Sequence, residues 1–291
     1  MILVDLNQVM ISNLMAQIGS HTNINIDEGL LRHMVLNAIR GYRKKFVSEY
    51  GELVICCDDT NNWRKKLFPY YKANRKKTRD DSELDWPTLF TSLNKVRDEL
   101  KEFFPYKHLQ VHTAEADDII GVLCYEYGTE GLSVGEPILI LSGDKDFIQL
   151  QKFANVNQYD PVRKKMIRHS SPELYTVEHI CKGDRGDGIP NVLSNGDVFV
   201  SGGRQKPLRA KALEQMVNVI RDSAVEDIND KYEWAAGYHR NRFLVDLQYT
   251  PADIKAQVLS QFAVEPNGRG KLFNYFVQSR LNNLVENISE F

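Results

Sequence analysis

The stretch AEADD at residues 114–118 places Glu115, Asp117 and Asp118 at the head of an apolar, helix-patterned run. Other carboxylates follow short apolar runs: Asp5 after ILV, Asp58 after LVICC, and Asp144 and Asp146 after PILILS. One Asp behind a strand is ordinary turn chemistry. Several strands of a parallel sheet, each ending in acid, bring their side chains to the one edge where ligands bind. With Glu115 and Asp117 added, Asp5, Asp58, Asp144 and Asp146 would repel one another and some would have to protonate. Divalent cations relieve that repulsion, and hard oxygen donors suit Mg²⁺ or Mn²⁺. Glu115 and Asp117 are therefore expected to be metal ligands that also gain from the helix N-terminus. Asp118 reads as a capping residue or a support behind the ligands. Asp184 and Asp187, in KGDRGDGIP, would pass for a plain surface turn on their own.

Positive charge is just as local. Residues 61–79, NNWRKKLFPYYKANRKKTR, hold Arg64, Lys65, Lys66, Lys72, Arg75, Lys76, Lys77 and Arg79 with no acid among them, and Trp63, Phe68, Tyr70 and Tyr71 lie between. Cations interleaved with aromatics suit a phosphate backbone and stacked bases. A second acid-free patch, GGRQKPLRAK, supplies Arg204, Lys206, Arg209 and Lys211 where a helix begins. Acidic pocket and basic surface together indicate a metal-dependent enzyme acting on nucleic-acid phosphodiesters. The net charge of −2 does not conflict with this, because the pocket's acids are offset by the ions they hold.

The elements that must position these groups are legible in outline. Apolar runs at 2–4, 52–57 and 137–142 read as buried parallel strands, with helical patterns at 30–46 and 117–128 between them. This alternation predicts an α/β domain with a central, mainly parallel sheet flanked by helices. A hairpin is expected around 156–168, followed by helices near 172–182, 208–222, 226–246, 251–262 and 268–290. The boundary falls near 170: residues 1–170 form the nuclease domain with a basic arch at about 60–100, and 171–291 form a helical C-terminal domain. The four cysteines have no metal-knuckle spacing and are expected reduced in the core. The chain opens on ILVDL without a leader, and no apolar run reaches membrane-spanning length, so an intracellular soluble monomer is expected. The seven histidines are scattered, and each is expected to be structural or exposed.

In order along the chain, VDLNQ (4–8), CCDD (56–59), YYKANRKKTR (70–79), AEADD (114–118), SGDKDF (142–147) and KGDRGDGIP (182–190) resemble the flap-endonuclease and 5′-3′ exonuclease superfamily. The phage ribonuclease H branch is most similar, and the ending RGKLFNYFVQSRLNNLVENISEF is similar to it as well. The resemblance implies a PIN-like 5′-nuclease fold with two Mg²⁺ ions, for which Mn²⁺ can substitute. It implies a first metal site of Asp5, Asp58, Glu115 and Asp117, and a second of Asp144, Asp146 and Asp187, with Asp184 behind. It gives Lys72 and Arg79 the task of placing the scissile phosphate, with Tyr71 stacking on a nucleotide or touching phosphate. Residues 182–211 would form a helix-three-turn-helix gripping duplex phosphates. This chain departs from many relatives at Gly188 and Asn191, where Asn and Gly are usual. VLSNGDVFVSGGRQKP replaces the glycine-rich turn that often cradles a monovalent ion, so duplex grip should rest on the basic patch. The glutamine-led aromatic box for a sliding clamp is missing from the C-terminus.

The expected function is removal of RNA primers and 5′ flaps during DNA replication, for a phage acting in its host's cytoplasm. The expected substrates are branched or nicked duplex DNA and RNA–DNA hybrid; a single-strand-binding protein and a sliding clamp are candidate partners. Two rivals remain: a PIN-type ribonuclease, usually about half this length, and a non-catalytic binder of branched nucleic acid. The complete acidic set speaks against the binder, which gains nothing by repelling phosphate. DLNQV lacks the second Asp that haloacid-dehalogenase-type phosphotransfer needs.

Overall fold

The computed structural model describes residues 1–18, 28–81, 84–131 and 135–291, with the side chains of residues 17–18 and 76–78 outside that description. Lys76 and Lys77, expected to face nucleic acid, are therefore not placed. A six-stranded sheet forms the centre, in the order β3-β2-β1-β4-β5-β6. It consists of β1 (Ile2–Asp5), β2 (Leu53–Cys57), β3 (Lys107–Gln110), β4 (Ile138–Leu141), β5 (Val156–Asp160) and β6 (Lys165–Ile167). The first five are parallel and only β6 runs antiparallel, closing the expected hairpin. Every residue of β1, β2 and β4 is buried, as continuous apolar runs require between two helical layers.

Alternate residues of those strands feed two cores. Ile2, Val4, Leu53, Ile55 and Cys57 pack beneath α1 (Leu6–Ile18), α2 (Glu28–Tyr50) and α5 (Trp86–Phe103). Leu3, Val54 and Cys56 pack on the opposite face against α6 (Ala116–Tyr127) and α10 (Ala252–Phe262). Between β2 and α5 lie two short helices, α3 (Arg64–Leu67) and α4 (Asn74–Asp80). α5 begins with Asp85 accepting from the Thr88 backbone N–H at 3.1 Å and buries Leu89, Leu93, Val96 and Leu100. The arch expected at about 60–100 thus yields its last third to the core. All four cysteines are free and buried.

The helical region continues with α7 (Pro172–Lys182), α8 (Ala210–Asp222), α9 (Ala235–Val245), α11 (Leu272–Gln278) and α12 (Asn282–Val285). Two long helices expected here are shorter or broken. Residues 226–246 keep only α9, preceded by a single 3₁₀ turn at Val225–Asp227. The run 268–290 splits around Arg280, whose φ of 56° lies in the left-handed region that no α-helix continues through. A third core joins Ile180, Cys181, Met216, Ile220 and Leu244 with Phe68 and Tyr71 from the arch. The final helices leave that core and return to the first, where Leu272, Tyr275, Phe276 and Phe291 pack with Phe104. No helix among the described residues is long and apolar enough to cross a membrane.

Phe276 is fully buried between Phe104 and Phe291. Phe276→Ala is expected to lower the unfolding free energy by about 3–5 kcal/mol. Urea denaturation checks this, and a loss below about 1 kcal/mol would show that the C-terminal segment is only loosely attached.

Candidate active site

The carboxyl ends of β1, β2 and β4 open into a cavity of about 620 Å³ lined by Asp5, Asp58, Glu115, Asp117 and Asp144. On the arch side Lys72, Arg75 and Arg79 line the same cavity, with Arg97 of α5 nearby. Asp5, Asp58 and Asp144 are held at the ends of β1, β2 and β4, and Glu115 and Asp117 come from the start of α6. Asp5 accepts from Ser142 Oγ at 3.0 Å and from the Gln8 backbone N–H at 3.2 Å. Asp58 accepts from Asn7 Nδ2 at 2.6 Å and from the Ala116 backbone N–H at 2.7 Å, which ties β2 to the start of α6. The Asp144 carboxylate accepts from the Asp146 backbone N–H at 3.0 Å, capping a 3₁₀ segment, Lys145–Lys152.

Crowding shows in the acidities. Poor hydration, then the Asp58 charge, push Asp5 up to about 7. Poor hydration and the neighbouring Asp146 push Asp144 up to about 6, although its residue stays open to solvent. Asp117 is raised well above the usual carboxylate range, by burial first and Asp144 next. Glu115 goes the other way: burial alone would raise it, but Lys72 and Arg64 outweigh burial and pull it down to about 2. All donors are hard oxygens, and Asp5, Asp117 and Asp144 ionise less readily here than an ordinary carboxylate. That donor set fits hard divalent cations and offers no soft ligand.

The second group of acids is divided. Asp187 is buried and faces the arch: Arg75 pairs with it, Lys72 Nζ lies 3.6 Å away, and the Lys72 backbone N–H donates to its carbonyl at 2.7 Å. Gly188, with a φ of 73°, brings that turn so near that an added Cβ would lie 2.9 Å from the Tyr70 carbonyl oxygen. Asp146 turns to His179 on α7, its Oδ1 2.8 Å from His179 Nε2, and Asp184 Oδ2 lies 3.8 Å from that nitrogen. Ligand atoms of Asp146, His179 and Asp184 fall within 4.8 Å of one another. His179 was expected to be a bystander; it lies beside the acids because α7 packs on the 3₁₀ segment, a juxtaposition across 33 residues of sequence. Burial alone would lower its pKa, but the hydrogen bond to Asp146 prevails and raises it.

Two expected nucleic-acid contacts are corrected. Arg64 is 2 % exposed. Its guanidinium forks onto Asp118, with Nη1 to Oδ2 at 3.0 Å and Nη2 to Oδ1 at 2.8 Å, reaches Glu115 at 3.2 Å, and donates through Nε to the Leu244 carbonyl. No phosphate can reach it. Tyr71 is 3 % exposed, so its ring has no free face for a base. Its hydroxyl lies 2.8 Å from Glu115 Oε2 and 3.0 Å from Asp187 Oδ2, and donates to one of them. Asp118 is fully buried and accepts from Arg64, from Trp63 Nε1 at 3.0 Å and from the Glu115 backbone N–H at 2.9 Å. Its part is to fix the α6 N-terminus. Lys65, Lys66, Arg75 and Arg79 are exposed around the arch, and Arg204, Lys206, Arg209 and Lys211 are exposed at the start of α8. Lys206 pairs with Glu233 at 2.9 Å. Sequence reasoning missed Asn7, Gln8 and Ser142, polar neighbours that steer the acids. All three stand inside motifs already quoted, VDLNQ and SGDKDF, but only the acids of those motifs were given a role.

Fold and site together define a phosphodiester hydrolase of the divalent-metal class, with basic surface around an acidic edge. The profile of the 5′-3′ exonuclease N-terminal resolvase-like domain matches residues 1–181, and that of the T4 RNase H C-terminal domain matches residues 170–291. Ribonuclease H of Enterobacteria phage T4 is 33% identical over 99% of this chain and 95% of its own length. A 5′-3′ exonuclease of Buchnera aphidicola is 30% identical over 56% of this chain and 55% of its own. Among solved structures, a bacteriophage T5 flap endonuclease complexed with DNA and metal ions superposes with a TM-score of 0.61. It is 15% identical and covers 90% of this chain and 97% of its own. A zinc-bound T5 5′-exonuclease gives 0.62 at 15% identity, over 91% and 99%. The chain belongs to the 5′-3′ exonuclease family, in its T4 RNase H branch. It is a 5′-3′ nuclease, and the match from end to end removes the half-length PIN-type ribonuclease as a reading.

Arg64→Met would leave Asp118 as an uncompensated buried charge and is expected to cost about 3–5 kcal/mol of stability. The folded protein should keep an unchanged salt slope for duplex binding, because this guanidinium touches no phosphate. A lowered slope with unaltered stability would restore Arg64 to the nucleic-acid surface.

Proposed function

We propose that this nuclease removes RNA primers and 5′ flaps during DNA replication, hydrolysing phosphodiesters with two Mg²⁺ ions at the edge built by β1, β2, β4 and α6. The observation that supports this best is the convergence of Asp5, Asp58, Glu115, Asp117 and Asp144 on one cavity with Lys72, Arg75 and Arg79 along its rim. Asp5, Asp58, Glu115 and Asp117 hold the first ion, and Asp144, Asp146 and Asp187 the second, with Asp184 and His179 orienting Asp146. When bound, the ions supply an acidified water and neutralise charge on the phosphate. The chain's own cations do the rest. Lys72 leaves Glu115 for the scissile phosphate and Arg79 steadies the same group from the arch. Tyr71 keeps Glu115 and Asp187 apart and oriented. Arg204, Lys206, Arg209 and Lys211 hold duplex phosphates away from the cut.

In this reading residues 1–170 cut and residues 171–291 grip, through 182–211. The substrates are flapped or nicked duplexes and RNA–DNA hybrids, met as a monomer in the host cytoplasm of a phage infection. Single-strand-binding protein and sliding clamp are the partners to test. The deciding experiment gives the enzyme an end-labelled 5′-flap duplex and an RNA-primed duplex, with Mg²⁺ and then with EDTA. Short 5′ products that vanish in EDTA support the reading, whereas tight binding without cleavage in Mg²⁺ or Mn²⁺ contradicts it.

Asp117→Asn is expected to cut at least about a thousandfold more slowly while flap-duplex affinity stays within about threefold. Loss of binding without loss of cleavage would refute its place at the metals. Lys72→Ala should slow single-turnover cleavage of pre-bound substrate by about 10²–10³, and an unchanged rate would remove it from the reaction. Neutralising Arg204 and Lys206 should flatten the salt slope of duplex binding by about 1–2, read from affinities across a salt series.

A further inference from the structure

The hairpin β5–β6 is a basic element that the proposed function leaves unused. Residues 161–168, PVRKKMIR, carry Arg163, Lys164, Lys165 and Arg168 without an acid, and all four are exposed. The nearby Asp160 is buried and already engaged: its Oδ1 accepts from the Val162 and Arg163 backbone N–H groups at 2.8 and 2.9 Å. Only Arg163 approaches its other oxygen, at 3.7 Å. Among the described residues, no carboxylate lies within ion-pair distance of Lys145, Lys165 or Arg168. Lysines on an edge strand such as β6 do guard against unwanted pairing. That role does not explain Lys145, which lies off the strand yet faces the same groove.

This groove, about 490 Å³, is lined by Lys145, Arg163, Lys165 and Arg168, with Gln8 and Gly143 at one end. Gln8 lines the catalytic cavity as well, and its Oε1 accepts from the Gly143 backbone N–H at 2.7 Å. The two hollows therefore meet at one side chain, next to Asp144. The sheet order sets their direction. The arch follows β2, on one side of β1, whereas β4, β5 and β6 lie on the other. A backbone crossing the catalytic edge from the arch runs onto the hairpin.

We propose that this groove binds the phosphodiester backbone of the nucleic acid on the side of the cut away from the arch. The inference rests on the nuclease reading for the direction of the strand. Its chemistry is exposed cations, of which, among the described residues, Arg163 alone has a carboxylate within ion-pair distance, along a channel continuous with the reacting centre. Such contacts release counterions, so they appear as salt dependence.

The test compares the full-length protein with Arg163→Ala/Lys165→Ala/Arg168→Ala and, as a second variant, Lys165→Glu/Arg168→Glu. Binding of a 5′-flap duplex with duplex on both sides of the junction is measured in EDTA across roughly 50–200 mM salt. A short single strand that reaches only the arch serves as the second probe. The triple variant is expected to bind the duplex about tenfold or more weakly, with the log–log salt slope reduced by about 2–3, and to bind the short strand as before. The charge-reversal variant should bind the duplex more weakly still. An unchanged duplex slope in both folded variants overturns the groove, as does an equal loss on the short strand. Wild-type cleavage in Mg²⁺ is scored separately: a wild type that cuts flaps beside variants with an intact slope refutes the groove alone. A wild type that never cuts, with a slope that still falls in the variants, keeps the groove and refutes the nuclease reading.

Discussion

Five carboxylates forced together in a poorly hydrated cleft are the constraint around which this protein is arranged. The sheet delivers three of them, since β1, β2 and β4 end side by side and in register, Asp5 opposite Cys56 and Val4 opposite Leu141. Nothing in an apolar core needs such a cluster, and poor hydration, with repulsion between neighbouring acids added, holds Asp5, Asp117 and Asp144 above the normal carboxylate range. The compensation is divided between the protein's own cations and the ions the donor set suits. Lys72 and Arg75 meet the acids from the arch, pairing with Glu115 and Asp187. A phosphate drawn to the same cations would find its charge answered from both sides.

That balance requires the arch to be anchored, and the anchor is buried charge. Arg64 and Asp118 form a forked pair within the core and add Trp63, Thr250 and the Leu244 carbonyl to it. One network thus fixes the arch root, the start of α6 and the helical region to each other. Removing water from such a pair is costly, and well-packed apolar residues often serve stability as well. Its use here is geometric. It places Glu115 with two cations beside it and leaves the next carboxylate, Asp117, for the cavity. The turn at 184–188 completes the clasp from the other side, through Asn74 Nδ2 on the Arg185 carbonyl and the Lys72 backbone N–H on that of Asp187.

Much of this was legible in the sequence because parallel strands are continuous apolar runs and their carboxyl ends collect ligands. The positions of β1, β2 and β4 follow from ILV, LVICC and PILILS, and the acids follow from the strands. What escaped was set by tertiary contact. The strand β3, KHLQ, is a short edge strand with only Leu109 buried, so no period marks it as a strand. The helix α5 lay hidden behind the basic run that precedes it. Arg64 reads in sequence like its neighbours Lys65 and Lys66; only the fold turns it inward while they stay exposed. His179 could not be assigned at all without the packing of α7 on the segment that follows β4.

Manganese titration of the metal-free protein, followed by paramagnetic resonance or by anomalous diffraction, reads the carboxylate cluster directly. The account predicts Mn²⁺ bound within the cavity against Asp5, Asp58, Glu115, Asp117 and Asp144, displaced by excess Mg²⁺ and lost from Asp117→Asn. A wild-type protein that takes up no Mn²⁺ there, or holds it equally well without the Asp117 carboxylate, would contradict it.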